Sequence, residues 1–135
     1  MGCKVIEVVA GVIFNGSKVL AAQRPEDKAC AGSWEFPGGK LEPGESPAAA
    51  LQRELREELA LDVQLHHSMY RLEFMPEVGK QIILHFIRAQ KLPGSEPQAC
   101  EGQKFRWLGA DELGSVAWLP SDESFVEYLY NIMNK

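Results

Sequence analysis

Glu54, Glu57 and Glu58 stand at i, i+3 and i+4 in a stretch, Pro47 to Leu59, that holds strong helix formers and no breaker after Pro47. At roughly 100° per residue they share one helix face, and Leu51, Leu55 and Leu59 form a second stripe beside it. The leucines can bury against a sheet and leave the carboxylates projecting together. Anions so close repel one another, by roughly a few tenths of a kcal/mol per exposed pair. A face solvated by water tolerates this, and the helix pattern alone favours that bland reading. A hard cation such as Mg²⁺ would relieve the repulsion, because carboxylate oxygens are the ligands Mg²⁺ takes.

The residues ahead of the helix change the balance. Ser46 is a good N-cap and Pro47 suits the first helical position. Before them, the chain from Pro37 reads as a Gly/Pro-rich loop. From Gly39 to Leu61 the sequence resembles the Nudix box: glycine, five residues, Glu, seven residues, then Arg-Glu-apolar-x-Glu-Glu-x-Gly-apolar. Gly39, Glu45, Arg53, Glu54, Leu55, Glu57, Glu58 and Leu61 occupy those positions, and only Ala60 departs, standing where the family has glycine. A left-handed turn there costs a non-glycine residue about 1–2 kcal/mol. Ala60 therefore bears on the turn and not on the carboxylates. Ala31 to Leu61, with Trp34-Glu35-Phe36-Pro37-Gly38-Gly39-Lys40, is similar to the MutT-like and CTP pyrophosphohydrolase branch. Weaker matches run from Val5 to the final helix, so the resemblance covers most of the chain.

Cleaving a phosphoanhydride requires neutralised phosphoryl oxygens, an activated water and in-line placement, and carboxylate-held divalent ions supply the first two. The resemblance implies a pyrophosphohydrolase that uses Mg²⁺, or Mn²⁺, to convert a nucleoside triphosphate and water to a monophosphate and pyrophosphate. It implies Glu54, Glu57 and Glu58 as metal ligands, one of them a general base, with Gly38 and Gly39 contributing backbone carbonyls. Glu101, in Glu101-Gly102-Gln103, matches an additional catalytic and metal-binding glutamate, against which stands a plain solvent-exposed loop residue. Arg53 would orient the carboxylates or Glu45; otherwise it is a helix-surface arginine. Lys40 would meet a phosphate, or simply water.

For the base, the resemblance points to Arg24, Phe36 and Asp122, with Glu35, Pro37 and Gly38 in the same substrate-binding segment and Lys80 loosely matching a substrate-facing arginine. Asp122 has an equally good explanation as a helix N-cap. The candidate substrates are cytosine nucleotides, 5-methylated ones included, and 8-oxo-dGTP. A carboxylate accepts hydrogen bonds from an exocyclic amine, so Asp122 leans towards cytosine. An ADP-ribose or dinucleoside polyphosphate hydrolase is the alternative enzyme, with Pro76 as its cue. A non-catalytic nucleotide-binding module is the alternative of another class, although no box glutamate is missing.

Composition bounds the partners. A net charge of −5 argues against a nonspecific nucleic-acid binder. A small phosphorylated nucleotide, held through metal, remains compatible with an acidic chain. The expectation is therefore a nucleotide partner, no nucleic-acid polymer, no membrane, and a monomer or homodimer. Cys3, Cys30 and Cys100 have neither disulfide-framework nor zinc spacing. Reduced thiols and a cytoplasmic location follow as the plain reading. The apolar run Val5 to Phe14 carries Glu7 and is too short to span a bilayer. His66, His67 and His85 lack a metal-ligand spacing, and Trp34, Trp107 and Trp118 read as core or pocket walls.

One domain over 1–135 is expected, of the α/β (α+β) class: a Nudix-type α/β/α sandwich with a mixed sheet between helices. Strands are expected at Lys4 to Phe14, Ser17 to Gln23 after an Asn15-Gly16 turn, Ser33 to Phe36, Leu61 to Leu65, Ser68 to Met75, Gln81 to Ala89 and Phe105 to Leu108. Asp111 to Ser115 should be one helical turn. A second helix should start from a cap at Ser121 or Asp122 and bury Phe125, Val126, Leu129 and Ile132.

Overall fold

The computed structural model describes residues 2–134 and leaves Met1 and Lys135 outside the described residues. Strands β1 (Lys4–Asn15) and β2 (Lys18–Gln23) form a hairpin closed by Gly16 and Ser17. The turn lies one residue later than expected. Gly16 takes φ +63 while Ser17 does not turn positive, so the first loop position is the one that needs glycine. β1 and β2 pair only beside this turn, at Phe14–Val19 and Asn15–Lys18, and then part.

Into the gap come β3 (Trp34–Glu35), pairing β2, and β4 (Gly38–Lys40), pairing β1. The expected loop at Gly38 to Lys40 is thus a short strand. Its two glycines let it lie against β1, because a Cβ on Gly38 would fall 1.9 Å from the carbonyl oxygen of Val9.

β5 (Val63–Glu77) and β6 (Lys80–Lys91) make a long hairpin, and β6 runs parallel to β1. The two strands expected at Leu61 to Leu65 and Ser68 to Met75 are one strand, interrupted by register shifts between Leu65 and Ser68 and between Ser68 and Tyr70. His66 and His67 occupy that irregular stretch, which hides the two-residue period from sequence. Pro76 is tolerated because β5 is the edge strand. With β7 (Phe105–Leu108) on β2, the seven strands form one mixed sheet of order β3-β2-β1-β6-β5.

A helix packs on each face. α1 (Pro47–Leu59) starts from Ser46, whose hydroxyl accepts from the Ala49 N–H at 3.1 Å. It buries Ala50, Leu51, Leu55 and Leu59 against Val9, Ile13, Leu20, Ile87 and Ala89. Removing one such leucine side chain costs about 2–5 kcal/mol, so this face fixes the helix against the sheet. Ala60 ends it at φ 48 and ψ 38, in the left-handed region despite its Cβ.

α2 (Glu123–Met133) buries Phe125 and Leu129 against Val12, Phe14, Phe86 and Leu108, with Val126 and Ile132 half-buried. The result is the α/β/α arrangement with a mixed sheet in the middle. Ala110–Ser115 is a 3₁₀ turn. Trp118 is anchored by its indole N–H to the Leu113 carbonyl at 2.7 Å. No helix among the described residues is long and apolar enough to cross a membrane.

Candidate active site

Where β1 and β2 part, a cavity of about 450 Å³ opens, a size that suits a small organic ligand. Its wall brings together Glu54, Glu58 and Glu101 with Gly38, Gly39 and Lys40, and also Arg24, Glu35, Phe36, Pro37 and Asp122. Arg53, Glu57 and Lys80 are not on it.

At the carboxylate end, β4, paired to β1, passes directly against Glu54. A Cβ on Gly39 would lie 2.5 Å from the Glu54 carboxyl carbon, so any other residue there would push this carboxylate from its place. Arg53 is turned away from the cavity and binds the loop that precedes the helix. Its Nε donates to Glu45 Oε2 at 2.7 Å and its Nη2 to Glu45 Oε1 at 2.9 Å, a bidentate pair. Nη2 also donates to the Lys40 carbonyl at 3.1 Å, and Nη1 to Glu54 Oε1 at 2.9 Å and Glu57 Oε2 at 3.4 Å. The guanidinium holds the Glu45 carboxyl well below the usual carboxylate range. Glu57 is largely exposed on this outer side.

Glu58 points inward. Its Oε1 is fully buried without a hydrogen-bond donor. Burial first, then the neighbouring Glu54, Glu101 and Glu35 carboxylates, push its pKa far above the ordinary value. A buried carboxylate oxygen with nothing to bond invites a cation or a proton. Among the described residues no three His, Cys, Asp or Glu side chains already close on a common point, since Arg53 holds Glu54 and draws Glu57 outward.

The opposite end is lined differently. Arg24 donates from Nη1 to Glu35 Oε1 at 3.0 Å and from Nε to the Ala29 carbonyl at 2.8 Å, so it braces the loop 25–33. Burial raises the Glu35 pKa, against the pull of Arg24 and Lys28. The Phe36 ring is 3% exposed and stacks on Trp118 at 4.7 Å, with Phe86 and Phe125 edge-on. With its ring buried and one face on Trp118, Phe36 offers the cavity little stacking surface.

Asp122 does not cap α2 through its side chain. It is 4% exposed, and its Oδ2 accepts from the Phe36 N–H at 3.3 Å. Burial, with a smaller push from Glu35, raises its pKa to about 7. Lys80 sits at the β5–β6 turn, 3.9 Å from Glu77 and off the cavity wall.

Sequence reasoning missed several wall residues. Phe74, Ile82 and Leu84 supply the apolar side, Lys28 a cation, and Gln103 a buried amide. Phe74 has no signal beyond strand alternation, and nothing local in the sequence marks Lys28. Gln103 stands in Glu101-Gly102-Gln103, where the glutamate drew the attention.

Comparison with known proteins fits this geometry. A family model of the NUDIX domain matches residues 5–129. CTP pyrophosphohydrolase of Escherichia coli is 41% identical over 125 residues, covering 92% of this chain and 90% of that protein. The 8-oxo-dGTP diphosphatase of Haemophilus influenzae is 36% identical over 132 residues, covering 97% and 96%. The solution structure of the E. coli ORF135 protein superposes with a TM-score of 0.81 at 36% identity, covering 96% of this chain and 91% of that one.

Proposed function

The chain belongs to the Nudix family of hydrolases acting on nucleotide phosphoanhydrides, and from that premise we propose that it is a Mg²⁺-dependent nucleoside triphosphate pyrophosphohydrolase. The products would be a nucleoside monophosphate and pyrophosphate. The proposed substrates carry an exocyclic amine on the base, namely cytosine nucleotides, 5-methylated ones included, and 8-oxo-dGTP. One observation carries the reading: a single cavity has acidic side chains of one helix at one end and a buried carboxyl, Asp122, at the other.

The residues present fit a divalent cation. Glu58 has a buried oxygen with no donor, Glu54 lies beside it, and Gly39 leaves room that any side chain would fill. Glu54, Glu58 and Glu101 would hold the ion, with Gly38 or Gly39 offering a backbone carbonyl and Glu57 at the outer edge. When bound, it would neutralise phosphoryl oxygens and make a coordinated water more acidic. Arg53 fixes the helix and its preceding loop, Lys40 stands at the wall to meet a phosphate, and Glu58 is the best-placed residue to take a proton. Val8, Phe74, Ile82 and Leu84 exclude water around the base.

At the base end, Asp122 would receive the amine through the oxygen that Phe36 does not use. Cytosine and guanine both present such an amine, which accounts for relatives of both kinds. The test is product analysis with Mg²⁺ over a panel containing CTP, dCTP, 5-methyl-dCTP, dGTP and 8-oxo-dGTP, with UTP and dTTP as the members that lack the amine. Monophosphate plus pyrophosphate from the amine-bearing members supports the reading. Turnover of ADP-ribose to AMP and ribose 5-phosphate in preference to all of them would replace it. Tight nucleotide binding without any cleavage would establish a binding module instead.

A further inference from the structure

We infer that Gln103 is a positioning residue that sets the placement of Glu101 against Glu58; this rests on the metal-binding role proposed for those glutamates. The last carbonyls of any helix lack intrahelical donors and must find them elsewhere. In α1 they find them in the loop that carries Glu101. The Gln98 N–H donates to the Leu59 carbonyl at 2.7 Å and the Cys100 N–H to the Glu58 carbonyl at 3.1 Å. The same Glu58 carbonyl accepts a second bond, from Gln103 Nε2 at 3.2 Å. Gln103 Oε1 in turn accepts from the Glu101 backbone N–H at 3.1 Å.

One side-chain amide therefore ties the backbone of Glu58 to the backbone of Glu101. Its orientation is fixed by chemistry: the carbonyl of Glu58 can meet only the NH₂ end, and the N–H of Glu101 only the oxygen end. The side chain is 7% exposed, so water is a poor substitute at either bond. Just beyond it, the Gln23 N–H donates to the Lys104 carbonyl at 2.8 Å, fastening the loop to the end of β2. Glu101 itself is exposed, and no hydrogen bond or ion pair from its own side chain is found among the described residues. Its place at the cavity is thus set by its backbone, which Gln103 holds. Displacement of a catalytic group by about 1 Å can cost roughly 10²-fold in rate, so a brace at this point reaches turnover without touching substrate.

The test uses Gln103→Met, which keeps length and loses both bonds, alongside Gln103→Asn, Glu101→Gln and the Gln103→Met/Glu101→Gln double variant. For Gln103→Met we expect kcat to fall about tenfold or more while KM stays within about twofold. Its Mn²⁺ dissociation constant, read without substrate from the electron paramagnetic resonance of free Mn²⁺, should rise severalfold. In the Glu101→Gln background, Gln103→Met should cost nothing further. Gln103→Asn, too short to span both bonds, should lose kcat in the same direction and serves where the methionine variant does not fold. Wild-type kcat and Mn²⁺ affinity in either single variant would overturn the inference. So would losses that multiply in the double variant, since Gln103 would then act independently of Glu101. If Glu101→Gln alone kept full turnover, the role given to Glu101 would fall and the inference with it. A wild-type Gln103→Met beside an impaired Glu101→Gln would fell the inference alone.

Discussion

At one end of the cavity Glu54 and Glu58 come from a single turn of α1, and Glu54 is held by the arginine next to it in sequence. At the other, Asp122 meets the N–H of Phe36 across 86 residues, and Arg24 reaches Glu35 from a different strand. The helical part of the first end is local, its geometry following from helix periodicity, and Glu101 joins it from the loop before β7. The second exists only once the sheet has folded. The difference suggests a division of labour: an end that can be written into one motif performs the chemistry, while an end assembled from separate elements can change its substrate without disturbing that motif.

Substitutions can break or sharpen this contrast. The largest effect should come from the local end. Glu58→Gln is expected to lower kcat by about 10²–10⁴-fold on every nucleotide alike, as loss of a group that moves a proton or holds the ion does. A base-dependent loss would blur the distinction between the ends.

Asp122→Asn should act in the complementary way, redistributing kcat/KM among bases by about tenfold while its best substrate keeps a kcat near that of the wild type. The same substitution has a thermodynamic signature. Asp122 in the folded chain has its pKa raised from 3.8 to about 7. Between those values the folded state holds a proton that the unfolded state has released, so this group's contribution to stability is present below about pH 4 and lost as pH rises to about 7. Asparagine does not titrate. The melting temperature of Asp122→Asn relative to wild type should therefore climb across that window and level off above it. A flat difference would mean that the carboxyl is not buried as described.

How much of this is legible in the sequence differs between the ends for the same reason. Glu54, Glu57 and Glu58 could be placed on one helix face from spacing alone, and Ser46 and Pro47 fix where that helix begins. Asp122 could not be resolved between cap and cavity, because the answer lies in the backbone of Phe36. Phe36 was expected at the base site, and only packing reveals that its ring stacks on Trp118. The bulges near His66 and His67 split one strand into two apparent ones. Glycines at positions 38 and 39 read as a loop, whereas their missing side chains are what admit a strand between Val9 and Glu54.

The smallest effect belongs to Ala60, which lies outside the cavity. Ala60→Gly should relieve a left-handed residue and stabilise the chain by about 1 kcal/mol, visible as a raised melting temperature, with kcat and base preference unchanged. A change in kcat would show that the end of α1 is adjusted for the reaction and not merely strained.

The most direct test of the central claim is a crystal structure soaked in Mn²⁺ with a nonhydrolysable nucleoside triphosphate, with the metal located by anomalous scattering. An anomalous peak is expected in the cavity, ligated by Glu54 or Glu58, with the triphosphate on the metal and the base beside Asp122. A peak outside the cavity, or a nucleotide whose phosphates lie at Asp122 and whose base lies at Glu58, would contradict it.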